Sequence, residues 1–256
     1  FRSERLGKVA SAVAWTSLSL QTAGILLRWV ESYQMGIGHA PLSNMYESLV
    51  FFSWCIAALY LVWEWRLKSR VFGAVTMPFA FLTIAYASLA SGVSAKIDPL
   101  IPALQSNWLH AHVITCFLSY ASFAISCGVS VLYLIKARQA GTEPTGSGAS
   151  SFLPSLSSLD SLVYKTIAVG FPLLTIGIVT GAAWANYAWG SYWSWDPKET
   201  WSLITWFVYA VFLHARFTRE WRGSRTAALS IIGFVAVVFT YFGVNYILAG
   251  LHSYAG

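Results

Sequence analysis

The residues best suited to chemistry in this chain are its tryptophans and histidines. Segment 184–201 holds Trp184, Trp189, Trp193, Trp195 and Trp201, with Tyr187 and Tyr192 between them. Aromatic faces pack favourably on one another, so this cluster reads as a platform for a large planar ligand. An interfacial belt, with Trp and Tyr at headgroup level, accounts for one or two tryptophans per helix end. It accounts less well for five within eighteen residues that also include Asp196, Lys198 and Glu199. The run Asp196-Pro-Lys-Glu199 has a second meaning. Asp is a good N-cap, Pro suits the first helical position, and Glu three residues on closes a capping box. Asp196 and Glu199 therefore read first as helix-starting residues, with direct ligand contact the other reading.

Five histidines, His39, His110, His112, His214 and His252, supply the candidate metal ligands. Histidine is a common axial ligand to haem iron, and an ionisable group within a membrane segment is a functional candidate by default. The three cysteines, Cys55, Cys116 and Cys127, lie in apolar runs and form no CxxC pair. They read as buried small hydrophobes.

The elements that must position these groups follow from composition. The chain is 57% hydrophobic and 10% charged, whereas a soluble domain carries about 25% charged residues. The expected solvent is a bilayer. Apolar runs near spanning length recur at 9–30, 46–65, 72–92, 109–135, 162–184, 200–215 and 227–251. In lipid each must be helical, because open strand edges leave backbone groups unsatisfied. The expected fold is an all-α polytopic bundle of about seven transmembrane helices in one domain spanning 1–256. A Gly/Ser/Thr/Pro-rich linker is expected over 139–160, flexible and cytoplasmic. The start at Phe1 leaves room for a further helix before it.

Charge sets the expected orientation. Basic residues gather before the first span, between the second and third, after the fourth, and between the sixth and seventh. These connections share one side, cytoplasmic by the positive-inside rule, which puts the N-terminus inside and the C-terminus outside. The net charge of +6 has this origin, so a nucleic-acid partner is not expected. The aromatic segment, His39, His110, His112 and His252 then fall on the outer side. His112 and His252 are open to a bis-histidine iron site there, or to simple solvation among headgroups. His110 points about 200° from His112 around the helix. His214 lies about 20 Å along the sixth helix from Glu199, near the cytoplasmic end, as an inner ligand or as a snorkelling side chain.

The run Trp189-Gly-Ser-Tyr-Trp-Ser-Trp-Asp-Pro-Lys-Glu-Thr-Trp201 resembles the tryptophan-rich (WWD) signature of haem-handling proteins in cytochrome c maturation. Its Pro-Lys-Glu-Thr-Trp tail resembles the CcsA branch, from system II. Stretches 41–48 (Pro-Leu-Ser-Asn-Met-Tyr-Glu-Ser), 104–112 (Leu-Gln-Ser-Asn-Trp-Leu-His-Ala-His) and 244–252 (Val-Asn-Tyr-Ile-Leu-Ala-Gly-Leu-His) resemble the same branch. The resemblance implies haem delivery across the membrane and its covalent attachment to the CxxCH motif of apocytochrome c. It implies haem b as cargo and a membrane partner of the CcsB (ResB) kind, hence a synthase subunit active with that second chain. It assigns His112 and His252 as outer iron ligands and His214 to an inner site whose other ligand comes from the partner. Trp184, Trp189, Tyr192, Trp193, Trp195, Asp196 and Trp201 would form the ligand-binding segment. The implied location is a bacterial plasma membrane or thylakoid membrane, with the haem site on the extracytoplasmic or lumenal side. A haem exporter without ligation activity, or a cytochrome b-like electron carrier, are the competing functions.

Overall fold

The computed structural model describes residues 4–142 and 153–248. Seven helices follow the seven apolar runs: α1 (Glu4–Gln34), α2 (Met45–Leu67), α3 (Gly73–Leu89), α4 (Asn107–Thr142), α5 (Leu156–Trp189), α6 (Pro197–Thr218) and α7. Helix α7 runs as an α segment, Ser224–Val238, a π turn, Phe239–Gly243, and a last α turn, Val244–Ile247. There is no strand among the described residues. Helices α1, α2, α4, α5 and α7 are long and apolar enough to cross a bilayer, whereas α3 is a shorter apolar helix. The chain is thus a multi-pass membrane helix bundle.

Several helices outrun their apolar stretches, because a helix already nucleated adds one hydrogen bond per further residue. Helix α4 continues to Thr142, and α5 starts at Leu156 behind an N-cap in which Ser155 accepts from the Ser158 N–H. The linker expected over 139–160 is therefore helical at both margins; its middle, 143–152, lies outside the described residues.

Helix α4 is the axis, touching α2, α3, α5 and α7. Its seam with α5 is close because glycines line it. A Cβ on Gly170 would meet Phe123 at 2.7 Å, and one on Gly177 would meet Cys116 at 2.6 Å. Small residues let helices approach where lipid supplies no hydrophobic drive. The approach permits cross-helix hydrogen bonds, as from the Ser119 hydroxyl to the Gly170 carbonyl at 2.8 Å. Deeper in the core, Phe123 stacks on Tyr209 of α6 with centroids 3.5 Å apart. Helix α1 is peripheral, with most of its side chains exposed.

The two ends of the bundle differ. One gathers Lys8, Arg66, Lys68, Arg70, Lys136, Arg138, Arg216, Arg219, Arg222 and Arg225. There Asp160 of α5 accepts from Arg216 at 2.7 and 2.9 Å and from the Gly223 N–H at 2.9 Å. Glu64 accepts from the Ser11 and Tyr60 hydroxyls and lies 3.5 Å from Arg70. The opposite end carries the loops after α1, α3 and α5, and with the last of these the tryptophans.

Candidate functional site

The tryptophan end contains a cavity walled by α4, α5, the 101–104 stretch, the 190–196 loop, α6 and α7. Helix α4 presents Leu109, His112, Val113, Cys116, Phe117 and Tyr120 to it, a spacing of three and four residues that marks one helix face. Phe117, Tyr120 and Tyr241 of α7 form an edge-to-face aromatic cluster on its wall.

His112 is the best-defined group in the cavity. Its Nδ1 lies 2.7 Å from the Gly177 carbonyl oxygen. A carbonyl only accepts, so Nδ1 carries the hydrogen, and in the neutral ring the lone pair falls on Nε2. Metal-ligating histidines are held in this way, the second nitrogen donating to a carbonyl or carboxylate. The imidazole also stacks on Trp184, with centroids 5.8 Å apart and planes 28° apart. Behind it sits Gly181, where a Cβ would come within 2.7 Å of Nδ1. Only glycine leaves that seat.

The aromatic segment divides. Trp184 is buried and donates its indole N–H to the Ala103 carbonyl at 2.7 Å; Trp189 lies against it at 5.2 Å. Trp184, Trp189, Tyr192 and Trp193 line the cavity with His112. The indole nitrogen of Trp193 is buried and has no hydrogen-bond partner among the described residues. Trp201 packs on Phe239 of α7 at 4.1 Å and is not part of the cavity wall. Trp195 is also off the wall; it is 69% exposed and has a φ of +60°, a left-handed conformation uncommon for a bulky residue.

Asp196 and Glu199 form the expected capping box at the start of α6. Asp196 accepts from the Lys198 N–H at 2.9 Å. Glu199 accepts from the Asp196 N–H at 3.2 Å and also from the Ser194 N–H at 2.8 Å. Glu199 thus folds the loop bearing Trp193 and Trp195 back onto the helix. Asp196 does not line the cavity, whereas Glu199 does.

The remaining candidates are apart from this group. His110 opens onto a different groove, shared with His39. His39 is buried, its ring nitrogens 2.9 Å from the Ala40 carbonyl and 3.1 Å from the Asp98 carbonyl, so it ties two loops together. His214 is exposed on α6 toward the basic end. His252 lies outside the described residues.

Sequence reasoning overlooked Lys198. It precedes the apolar run of α6, lines the cavity, and donates to the Asn245 amide oxygen at 3.3 Å. Burial pushes its ammonium down to about 8, against the opposing pull of nearby Asp196. The three- and four-residue spacing on α4 around His112 was the available signal for the rest of the wall; for Lys198 no local signal existed.

Known proteins agree with this architecture. The family model described as cytochrome C assembly protein matches residues 42–252. A cytochrome c biogenesis protein CcsA from Gloeobacter violaceus is 42% identical, over 97% of this chain and 86% of its own length. A CcsA from Guillardia theta is 45% identical, over 93% of this chain and 83% of its own. Among solved structures, the cytochrome c haem lyase CcmF superposes with a TM-score of 0.68 at 17% identity. That match covers 94% of this chain and 41% of CcmF, and it speaks for the fold. With identities above 40% across most of both chains, this protein belongs to the CcsA family of cytochrome c biogenesis proteins.

Proposed function

We propose that this chain binds haem in the cavity at the tryptophan end and presents it for covalent attachment to the CxxCH motif of apocytochrome c. The observation that carries the reading is His112: a cavity imidazole whose Nδ1–H is held by Gly177 and whose face lies on Trp184. The cavity residues suit haem. Trp184, Trp189 and Trp193 offer apolar faces to a porphyrin, and His112 offers a nitrogen to its iron. His252 is the proposed second outer ligand, on family resemblance. Trp195, Asp196 and Trp201 would support the segment, through the loop and its helix cap.

Haem b is the proposed cargo because thioether formation needs its vinyl groups. Adding a thiol across a vinyl forms one C–S bond and leaves the thiol hydrogen on the neighbouring carbon, with no oxidant consumed. The chain's share of such a step is positioning and exclusion of water. The basic end is proposed to be cytoplasmic, by the positive-inside rule, and the tryptophan end extracytoplasmic or lumenal, in a plasma or thylakoid membrane. Residues 1–256 would act as one haem-handling domain. His214, exposed on α6, is suited to an inner haem site completed by a CcsB-type partner.

The test is haem retention by the chain purified with its partner. Wild-type protein is expected to carry haem with a histidine-ligated spectrum and to form thioether on an apocytochrome peptide. If His112→Ala and His252→Ala leave spectrum and cytochrome c yield unchanged, the site is wrong. Release of free haem without thioether would favour the exporter.

A further inference from the structure

Helix α4 carries two histidines two residues apart, and they line different spaces. At about 100° per residue they stand about 200° apart around the helix. His112 lines the tryptophan-end cavity, and His110 lines a groove beside it. The groove is bounded by the C-terminal half of α1, the loop over 36–42, the stretch over 99–106 and the start of α4. Its volume is about 1080 Å³, at the top of the range of about 300–1,000 Å³ usual for ligand sites.

The groove walls suit one class of guest. Trp29 and Tyr33 of α1 and Phe51 of α2 supply aromatic faces, with Ile25 and Ile114 beside them. The His110 imidazole has no hydrogen-bond, ion-pair or ring partner among the described residues. A neutral imidazole leaves a lone pair on one ring nitrogen, and here nothing occupies it. His39 lines the same groove but is engaged, its ring nitrogens 2.9 and 3.1 Å from the Ala40 and Asp98 carbonyls. A flat apolar ring with a metal at its centre uses both the aromatic faces and the single free imidazole.

Groove and cavity share a wall. The turn at Pro102–Leu104 is the partition: Ile101 and Ala103 line the cavity, Leu100 and Gln105 line the groove, and Leu104 lines both. Two aromatic residues of α5 hold this partition in place. Trp184 donates to the Ala103 carbonyl at 2.7 Å, and Tyr187 donates to the Gln105 carbonyl at 3.2 Å.

We propose that the groove is a second haem site, in which His110 is the axial ligand supplied by this chain. The inference rests on the haem reading above and adds a waiting place one partition away from the cavity. The stretch 104–112 thereby contributes a wall and an imidazole to each of two neighbouring sites.

The experiment titrates haem into the whole chain with its membrane partner in nanodiscs. Bound haem per chain is counted from Soret absorbance after subtraction of empty nanodiscs. His112→Ala, His214→Ala and His252→Ala together remove the ligands proposed for the other sites. This triple variant is expected to retain a haem with the spectrum of a single axial imidazole, and adding His110→Ala should remove it. Trp29→Leu in the triple background should weaken that haem about 2–10-fold, the range for an aromatic contact. In the otherwise wild-type chain, His110→Ala should lower the haem count and keep the His112-dependent band, an arm that stands even where the triple variant does not fold. If wild type binds haem through His112 but the folded triple variant binds no more than empty nanodiscs, the groove site is overturned and the haem reading survives. Unchanged count and spectrum on adding His110→Ala also overturn it. If wild type binds no haem, or His112→Ala changes neither count nor spectrum, the haem reading falls and the groove site with it.

Discussion

Both ends of this bundle bury polar groups, and they treat them differently. At the basic end Asp160 is enclosed by Arg216, the Gly223 N–H and the Thr226 hydroxyl, while Glu64 has Ser11, Tyr60 and Arg70 around it. These groups look inward and complete one another. At the tryptophan end the wall offers His112, Lys198 and a Trp193 N–H to a space. Polar clusters closed on themselves hold a fold together; on the haem reading proposed above, polar groups that line a cavity serve a guest. The same end also has an inward-looking pair, Arg28–Glu47 at 2.8 Å, with Glu47 further taking the Ser43 N–H and hydroxyl. That pair braces the rim of the cavity, where Ser43 lies. The distinction is thus between groups, not merely between ends.

The comparison can be broken by substitution. The largest effect is expected from Asp160→Ala, which strands a partly buried arginine beside the buried Asp160 position, at a cost of up to about 3–5 kcal/mol. Thermal unfolding in detergent should show the loss, with the haem affinity of the surviving folded fraction unchanged; altered affinity would mean that the two ends are coupled. Next comes His112→Ala, expected to weaken haem binding about 100-fold while the melting temperature moves little. Gly181→Val should imitate it with the histidine still present, because its side chain would displace the imidazole; outer-range ligand effects of about 10–100-fold are usual for such disturbances. A normal Soret band in Gly181→Val would show that the seat is not needed.

Smaller effects sharpen the picture. Glu199→Ala removes a capping-box partner and should cost about 0.5–2 kcal/mol, with Glu199→Gln restoring most of it because Gln serves at the same position. Failure of Gln to restore stability or haem retention would mean that the charge itself meets the ligand. The smallest effect is on pH. With its ammonium at about 8, Lys198 is charged below that pH and loses its proton above it. Loss of that charge from the cavity wall should lower haem affinity by a small factor above about pH 8 and leave it steady below. Asp196, Glu199, Cys116, His112, Tyr120, Tyr192 and Tyr241 are the other ionisable groups around Lys198 and its cavity. Lys198→Arg should flatten the slope, since guanidinium does not titrate there; an unchanged slope would assign it to another group.

The bundle was legible in the sequence because lipid imposes one rule on every segment, and a run of apolar residues is a helix there whatever its neighbours. The helices exceed the apolar runs where capping residues and solvated turns extend them, as Ser155 does for α5. The Asp196–Glu199 box was legible for a similar reason: capping depends on residues three apart. His112 and the tryptophans could be assigned to one end by counting crossings. What counting could not supply was direction. Trp201 turns into α7 and Trp195 outward, while Trp184 and Trp193 face the cavity wall, although all four belong to one motif. The place of Lys198 on the cavity wall depends on α4 and α7, which are remote in sequence.

The π turn at Phe239–Gly243 has a consequence for the phase of α7. A helix advances about 100° per residue, and a π turn inserts one residue without adding rise in proportion. Everything after it is rotated relative to the bundle by that amount. In the present phase Asn245 reaches Lys198, and Tyr246 reaches Tyr86 at 2.8 Å. Deleting Gly243, at the end of the turn, would swing both contacts away while keeping Thr240 and Tyr241 of the cavity wall in the chain. The azimuth of the last helical turn is thus set by one surplus residue.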